Sequence, residues 1–237
     1  MRLLGFSTGA LAGGDFRRGV EMMRALPIPC VELSALRRPE LGPLMAALNQ
    51  LDVSQFSYVA VHAPSHFEAS EEPCIINELE EAARRRWPIV LHPDAVHVFE
   101  RWTVFGDLLL IENMDKRKAT GRTVEELRHV FSKLPEARFC FDIGHARQCD
   151  STMTEAFLLL RAFRERLHQV HLSEVSSANK HNRLSFGAIC AFRELSHMIP
   201  AEIPIVLETP VDAGGIDTEL ANARQALPTP APVRVPA

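Results

Sequence analysis

Residues 88–112 read PIVLHPDAVHVFERWTVFGDLLLIE: two short apolar runs, Ile89-Val90-Leu91 and Leu108 to Ile111, each closed by a residue able to bind protons or metals, His92 and Glu112. Runs this short, rich in branched residues and apolar on both faces, suit strands covered from both sides in a parallel sheet. Only 15 residues separate His92 from Leu108, so the connection between these two strands must be compact or partly irregular.

The same form recurs on either side. Leu3 to Ser7, Cys30 to Ser34 and Tyr58 to His62 precede this segment, and Phe139 to Asp142, Gln169 to Leu172 and Ile203 to Glu208 follow it, which makes eight candidate strands. Between them lie stretches with helical periodicity, the alternation of repeated βα units. Thr123-x-x-Glu126 reads as a capping box ahead of Leu127, Val130 and Phe131. Thr152 to Leu167 carries an apolar stripe with Arg161, Arg164, Glu165 and Arg166 opposite. An open dinucleotide-binding sheet would place Gly-x-Gly-x-x-Gly after its first strand, where only Gly13-Gly14 stands. A closed barrel instead brings every strand's C-terminal residue to one shared mouth. The expected fold is a single α/β domain over residues 1–227, a (β/α)8 TIM barrel with a short fourth crossover, followed by an irregular Pro-rich tail over residues 228–237.

Bulk properties narrow the function. At 237 residues with 46% hydrophobic content, the chain can bury a large core without disulfide or metal staples. A net charge of -4 gives no general attraction to phosphate backbones, and basic runs such as Arg84-Arg85-Arg86 are short. The five cysteines, without any Cys-x-x-Cys pair, read as buried thiols in a reducing compartment. The opening apolar run is interrupted by Gly5, Ser7, Thr8 and Gly9, unlike a signal peptide, and no stretch approaches the ~20 apolar residues of a membrane span. A cytoplasmic location is expected.

The residues that end the strands carry the chemistry. His62, His92, Glu112, Asp142, His171 and Glu208 each occupy a last or next-to-last strand position, and His145 follows Asp142 by three. Taken singly, a strand-end histidine is more often a hydrogen-bonded core residue than a ligand. Six such residues at equivalent places reverse that reading, because burying them together costs several kcal/mol each unless a divalent cation compensates. Mixed imidazole and carboxylate donors suit zinc and manganese foremost, then iron and magnesium. His66, His97, His129, His168 and His197 fall in loops or helical segments and receive no role.

Seven motifs span strands three to eight: Val61-His62-Ala63-Pro64, Leu91-His92-Pro93, Ile111-Glu112-Asn113, Phe141-Asp142-Ile143-Gly144-His145, Val170-His171-Leu172, Lys180-His181 and Val206-Leu207-Glu208-Thr209-Pro210. In this order the chain resembles the xylose isomerase-like barrels, which include endonuclease IV, sugar isomerases, epimerases and inosose dehydratases. The resemblance implies a central metal site of Glu112, Asp142, His171 and Glu208. It further implies a second site from His62 and His92 with Glu112 bridging, and a third from His145 with an Asp-x-His pair. Here that pair reads Asn179-Lys180-His181, and asparagine is the poorer ligand.

Two reactions fit such a ring. Two or three metal ions could clamp a phosphoester for hydrolysis, with Glu112 or Glu208 orienting the water. Alternatively one metal ion could hold a hydroxy-ketone while Glu112 and Glu208 move a proton through an enediolate, as in sugar and sugar phosphate isomerases and epimerases. Asn179 and Arg183 are the expected substrate-binding residues, with Arg183 and His145 meeting substrate oxygens in the second scheme. The extra histidines tilt the expectation toward hydrolysis by one to three ions. The acidic balance and a single tyrosine point to a small phosphorylated or sugar-like substrate rather than to DNA. A noncatalytic binding barrel is the remaining alternative. Glu32 reads as a structural glutamate, Lys116, Arg117 and Lys118 as a phosphate-binding or solvated basic loop, and Phe67 and Trp102 as cleft or core aromatics.

Overall fold

The computed structural model describes residues 2–24 and 26–229. In it β1 (Leu4–Ser7), β2 (Cys30–Ser34), β3 (Tyr58–His62), β4 (Ile89–Leu91), β5 (Leu109–Glu112), β6 (Arg138–Asp142) and β7 (Leu167–Leu172) run parallel. A two-stranded antiparallel ribbon, β8 (Glu174–Val175) with β9 (His181–Asn182), then interrupts the series before β10 (Ile205–Leu207). The eight parallel strands close in the order β1-β10-β7-β6-β5-β4-β3-β2, with Leu4 opposite Ile205 at the seam. The expected (β/α)8 barrel is therefore the observed one. Of the Pro-rich stretch, residues 230–237 lie outside the described residues.

The helices are α1 (Thr8–Ala12), α2 (Phe16–Met23), α3 (Arg38–Ala47), α4 (Glu72–Arg84), α5 (Phe99–Trp102), α6 (Val124–Lys133), α7 (Ile143–Cys149), α8 (Thr154–Ala162), α9 (Phe186–Arg193) and α10 (Ile216–Ala226). No helix of the described residues is long and apolar enough to cross a membrane. Their apolar faces pack on the outside of the barrel in one continuous core that includes Leu33, Leu79, Ile111, Phe141 and Leu207.

Local chemistry moves several boundaries. The helix expected from Thr152 begins only at Thr154, because Asp150 ties Thr152 into a turn through bonds of 3.0 and 2.7 Å and Met153 is left-handed at φ 64°. It ends at Ala162, and β7 already starts at Leu167, two residues before the expected strand. Thr123 caps α6 by accepting from Glu126 N at 3.3 Å, but the return arm of the capping box is diverted: Glu126 accepts from Arg122 N at 2.7 Å. The cysteines are free and not uniformly buried, since Cys74 and Cys190 are exposed.

The fourth crossover is the irregular one expected, a single-turn α5 between two 3-10 segments. It is held by Glu72 at the start of α4, which is buried and accepts from Trp102 Nε1 at 2.9 Å, His97 N at 2.9 Å and Val98 N at 3.1 Å. Burial alone would raise this carboxyl; the Trp102 and backbone N–H donors outweigh it and hold the group below its usual range. Trp102 and Phe67 are fully covered, so both serve the core and neither lines the cleft.

Inside the barrel, side chains two residues apart along a strand point the same way. Val90, Leu110 and Cys140 form a small apolar plug of their own. Two residues further on stand His92, Glu112 and Asp142, one layer nearer the mouth. His92 and Glu208 lie one residue past the ends of β4 and β10 yet continue this alternation.

Strand spacing leaves no room at Gly5, where a Cβ would fall 1.8 Å from the Cys30 carbonyl oxygen, whereas Gly13 at φ +63° faces open space. Gly5→Ala is expected to lower Tm by roughly 6–12 °C through overpacking. Gly13→Ala, which meets only backbone strain, is expected to lower it by roughly 2–4 °C. Equal shifts in thermal unfolding would contradict the account of barrel spacing.

Candidate metal centre

His62, His92, Glu112, Asp142, His171 and Glu208 meet at the mouth, and Glu112 is the common neighbour. Its Oε2 lies 3.3 Å from His62 Nε2 and 3.3 Å from His92 Nε2. Its Oε1 lies 3.2 Å from His145 Nδ1 and 3.4 Å from His171 Nδ1. One carboxylate thus faces two pairs of imidazoles, one pair per oxygen. The His62 and His92 rings meet edge to face at 5.0 Å, and His62 Nδ1 stands 2.7 Å from the Ala63 carbonyl oxygen. A carbonyl only accepts, so that bond requires a proton on Nδ1, and in the neutral ring it leaves the Nε2 lone pair toward Glu112.

On the opposite wall, β6 runs directly into α7. Asp142 ends the strand and caps the helix, with Oδ1 accepting from His145 N at 2.6 Å. Asn113 fixes the same residue in the backbone, accepting from Asp142 N and donating to Asp142 O, both at 2.8 Å. Close approach is required here, for a Cβ on Gly144 would fall 2.5 Å from the Ser173 carbonyl oxygen. Glu208 Oε2 lies 3.5 Å from His171 Nδ1 and 3.6 Å from His181 Nδ1, and His181 is hydrogen bonded to Ser173 Oγ at 2.7 Å.

The electrostatics follow from burial set against unlike charge. Burial would raise Glu112, but the charge of His171 and the close approach of the His92 and His145 rings hold it well below the usual carboxylate range. Burial pushes Asp142 up to about 6, with Glu112 and Glu208 adding repulsion and His145 opposing. For His62, burial disfavours the cation, yet the hydrogen bond and charge of Glu112 outweigh it and raise the ring to about 9. His145 rises to about 10 against the same penalty, chiefly through Asp142. Burial keeps His92 below its ordinary value.

Two buried polar atoms that face the other ligands of this cluster have no hydrogen-bond partner, Asp142 Oδ2 and His171 Nδ1. Buried polar atoms are nearly always paired, so unpaired acceptors gathered in one pocket mark a place for a cation. The donor atoms of Glu112, Asp142, His171 and Glu208 lie within 4.8 Å of one another, as do those of His62, His92 and Glu112. Three carboxylates with one imidazole suit manganese, magnesium or zinc, and two imidazoles with one carboxylate suit zinc. The residues present fit the group.

A cavity of about 510 Å³ opens above the cluster, lined by His62, His92, Glu112, His145, His181 and Glu208 together with Asn179, Arg117 and Lys118. Asn179 occupies the turn before β9 at φ 58°, a left-handed conformation that asparagine tolerates well, and its oxygen accepts from Gln148. Arg183 is not brought to this cavity; it is half-exposed and reaches toward Asp212 at 3.7 Å. Arg117 and Lys118 are held by Asp115 and Asp94 at 2.7 and 2.8 Å. Sequence reasoning quotes Asn113 within the Ile111-Glu112-Asn113 motif but gives it no role of its own, and it misses Ser173 and Asp115, which carry no periodic signal. The histidines given no role stay apart, as in His97, which bonds the Phe67 carbonyl at 2.9 Å.

No family model and no curated protein matches this sequence. Solved structures do match. Endonuclease IV from Thermus thermophilus superposes with TM-score 0.60 at 22% identity, over 94% of this chain and 97% of that one. A xylose isomerase-like TIM barrel protein from Mycobacterium smegmatis, in complex with magnesium, gives 0.59 at 10% identity over 96% and 98%. N-acetylneuraminate lyase from Mycoplasma synoviae gives 0.53 at 12% identity over 95% and 76%. The likeness is one of fold, and it agrees with the resemblance carried by the strand-end motifs.

Raised histidines in the metal-free chain are charged at neutral pH and contribute stability that is complete below their unfolded value near 6.5 and lost as pH rises through about 9 to 10. Ligation needs neutral rings, so zinc binding at pH 7.5 is expected to release about one proton or more per ion. Titration calorimetry in buffers of different ionisation enthalpy measures this, and binding without proton release would contradict a cluster whose rings are charged before the metal arrives.

Proposed function

We propose that this barrel is a divalent-metal-dependent enzyme that hydrolyses a phosphoester in a small substrate, using more than one ion, with zinc or manganese the preferred metals. The observation that carries the reading is the division of Glu112: one oxygen faces His62 and His92, the other His145 and His171. A reaction served by one ion would leave the first pair to contact substrate or to serve structure alone. Bound cations would supply positive charge that offsets the charge gathering on a phosphoester and lowers the pKa of an attacking water.

The chain's own groups divide the remaining work. Glu112 and Glu208 both line the cavity, but the Glu112 side chain is 1% exposed and acts as the shared ligand, whereas that of Glu208 is 12% exposed and is the more open to a nucleophile that it would orient and deprotonate. His181, held by Ser173 beside Glu208, is placed to pass protons to and from the leaving oxygen. Two features favour a small substrate over nucleic acid. The cavity cations Arg117 and Lys118 already have carboxylate partners. The Arg84–Arg86 run lies at the end of α4, before β4 and so on the face opposite the mouth, where it is engaged by Glu80, Glu81 and Asp107. Duplex binding draws on many free cations, and these are not free.

A second reading rests on the sufficiency of Glu112, Asp142, His171 and Glu208 for one ion. Glu112 and Glu208 would then exchange a proton between adjacent carbons of a sugar or sugar phosphate, making the protein an isomerase or epimerase.

Metal analysis of the purified protein decides between them. Two or more ions per chain with turnover of bis(4-nitrophenyl) phosphate is the expected result; one ion per chain with ketose interconversion would replace it by the second reading. Glu112→Gln is expected to lower activity by roughly 10²-fold or more and to reduce metal content. His129→Ala, at an exposed site on α6, is expected to leave both unchanged. Full metal content in the Glu112 variant would sink the shared-ligand proposal.

A further inference from the structure

Beneath the metal centre runs a buried polar chain that the reaction does not use directly. Tyr58, at the start of β3, is hydrogen bonded through its hydroxyl to Gln169 Oε1 at 2.7 Å. Gln169 Nε2 donates to Glu32 Oε2 at 2.6 Å, and the same Glu32 oxygen lies 2.9 Å from His171 Nε2. Glu32, Gln169 and His171 are completely buried. A charge placed there by chance would cost several kcal/mol, so an inward glutamate on β2 needs a reason.

The protons can be assigned. The amide of Gln169 is oriented by its short contact with the Glu32 carboxylate, which accepts only from a donor, so Nε2 faces Glu32 and Oε1 faces Tyr58. Gln169 Nε2 is also 2.8 Å from His171 Nε2, and the three atoms form a triangle. One side of a triangle made of a carboxylate oxygen and two nitrogens cannot be a hydrogen bond. A carboxylate oxygen has two lone pairs, so both nitrogens donate to Glu32, and the contact between the nitrogens is the side left over. His171 therefore carries its proton on Nε2. Its Nδ1, which has no hydrogen-bond partner, lies 3.4 and 3.5 Å from Glu112 Oε1 and Glu208 Oε2, so a cation held between those oxygens would meet the Nδ1 lone pair once that nitrogen is deprotonated.

We infer that Glu32 is a positioning residue for the metal centre: with Gln169 and Tyr58 it holds His171 in the tautomer and orientation that make Nδ1 a metal ligand. A carboxylate behind a ligating imidazole also makes the ring more basic and the ligand stronger. This inference rests on the metal reading above and adds a residue that acts on the cation through His171.

The test uses zinc as the probe and binding as the readout. In the zinc-loaded wild type, ¹⁵N-edited spectra of histidine-labelled protein should place the His171 proton on Nε2. Glu32→Gln keeps the volume but removes the charge, and is expected to weaken zinc binding roughly 10- to 100-fold in competition with a chromogenic chelator. Tyr58→Phe, which frees the Gln169 amide while leaving Glu32 in place, should weaken it less, by several-fold. Zinc affinity in Glu32→Gln within about twofold of wild type, or a His171 proton on Nδ1, would overturn the assignment. If Glu32→Gln fails to fold, unchanged affinity in Tyr58→Phe does so. Failure of the wild type to bind zinc, manganese or magnesium would instead remove the metal reading itself.

Discussion

The carboxylate of Glu112 lies within 3.4 Å of ring nitrogens of His62, His92, His145 and His171, in a pocket with almost no solvent. Two further acids, Asp142 and Glu208, share that pocket. So dense a set of titratable groups holds together only when positive charge is distributed among the carboxylates, as protons on the rings or as cations between them. The raised His62 and His145 and the unpaired Asp142 Oδ2 are two sides of this balance. The first shows protons filling the role; the second shows where they fall short.

The barrel supplies this arrangement through geometry of a simple kind. Side chains alternate along each strand, and closure brings the upper layer from all eight strands to one place. The lower layer is divided between an apolar plug of Val90, Leu110 and Cys140 and the polar chain of Tyr58, Gln169 and Glu32. Rigidity at the mouth is added by neighbours of the ligands: Asn113 grips the backbone of Asp142, and Ser173 holds His181.

Much of this is legible in the sequence. Strand-ending residues such as His92 and Glu112 reveal themselves because a polar group closing an aliphatic run is costly to bury without a purpose, and the parity of period two carries them to a common layer. Asn113 and Asp142 stand in motifs that the sequence singles out, yet their mutual grip is a contact across 29 positions that no local pattern encodes. Glu32 is visible as an inward residue, but the triangle it forms with Gln169 and His171 joins positions up to 139 apart. Helix ends depart from the sequence pattern where side chains compete with the backbone, as when Asp150 captures Thr152 and Arg122 captures Glu126.

Asp142 has two oxygens and two employers. One oxygen begins α7 by accepting from His145 N, and the other is bare within the cluster. The helix that it starts carries His145 one turn into the same pocket, so a rotation at the cap displaces a carboxylate and an imidazole together. Alteration at this position is therefore felt twice, once in the seating of a helix and once in the grip on a cation, and neither can be tuned while the other is left as it was.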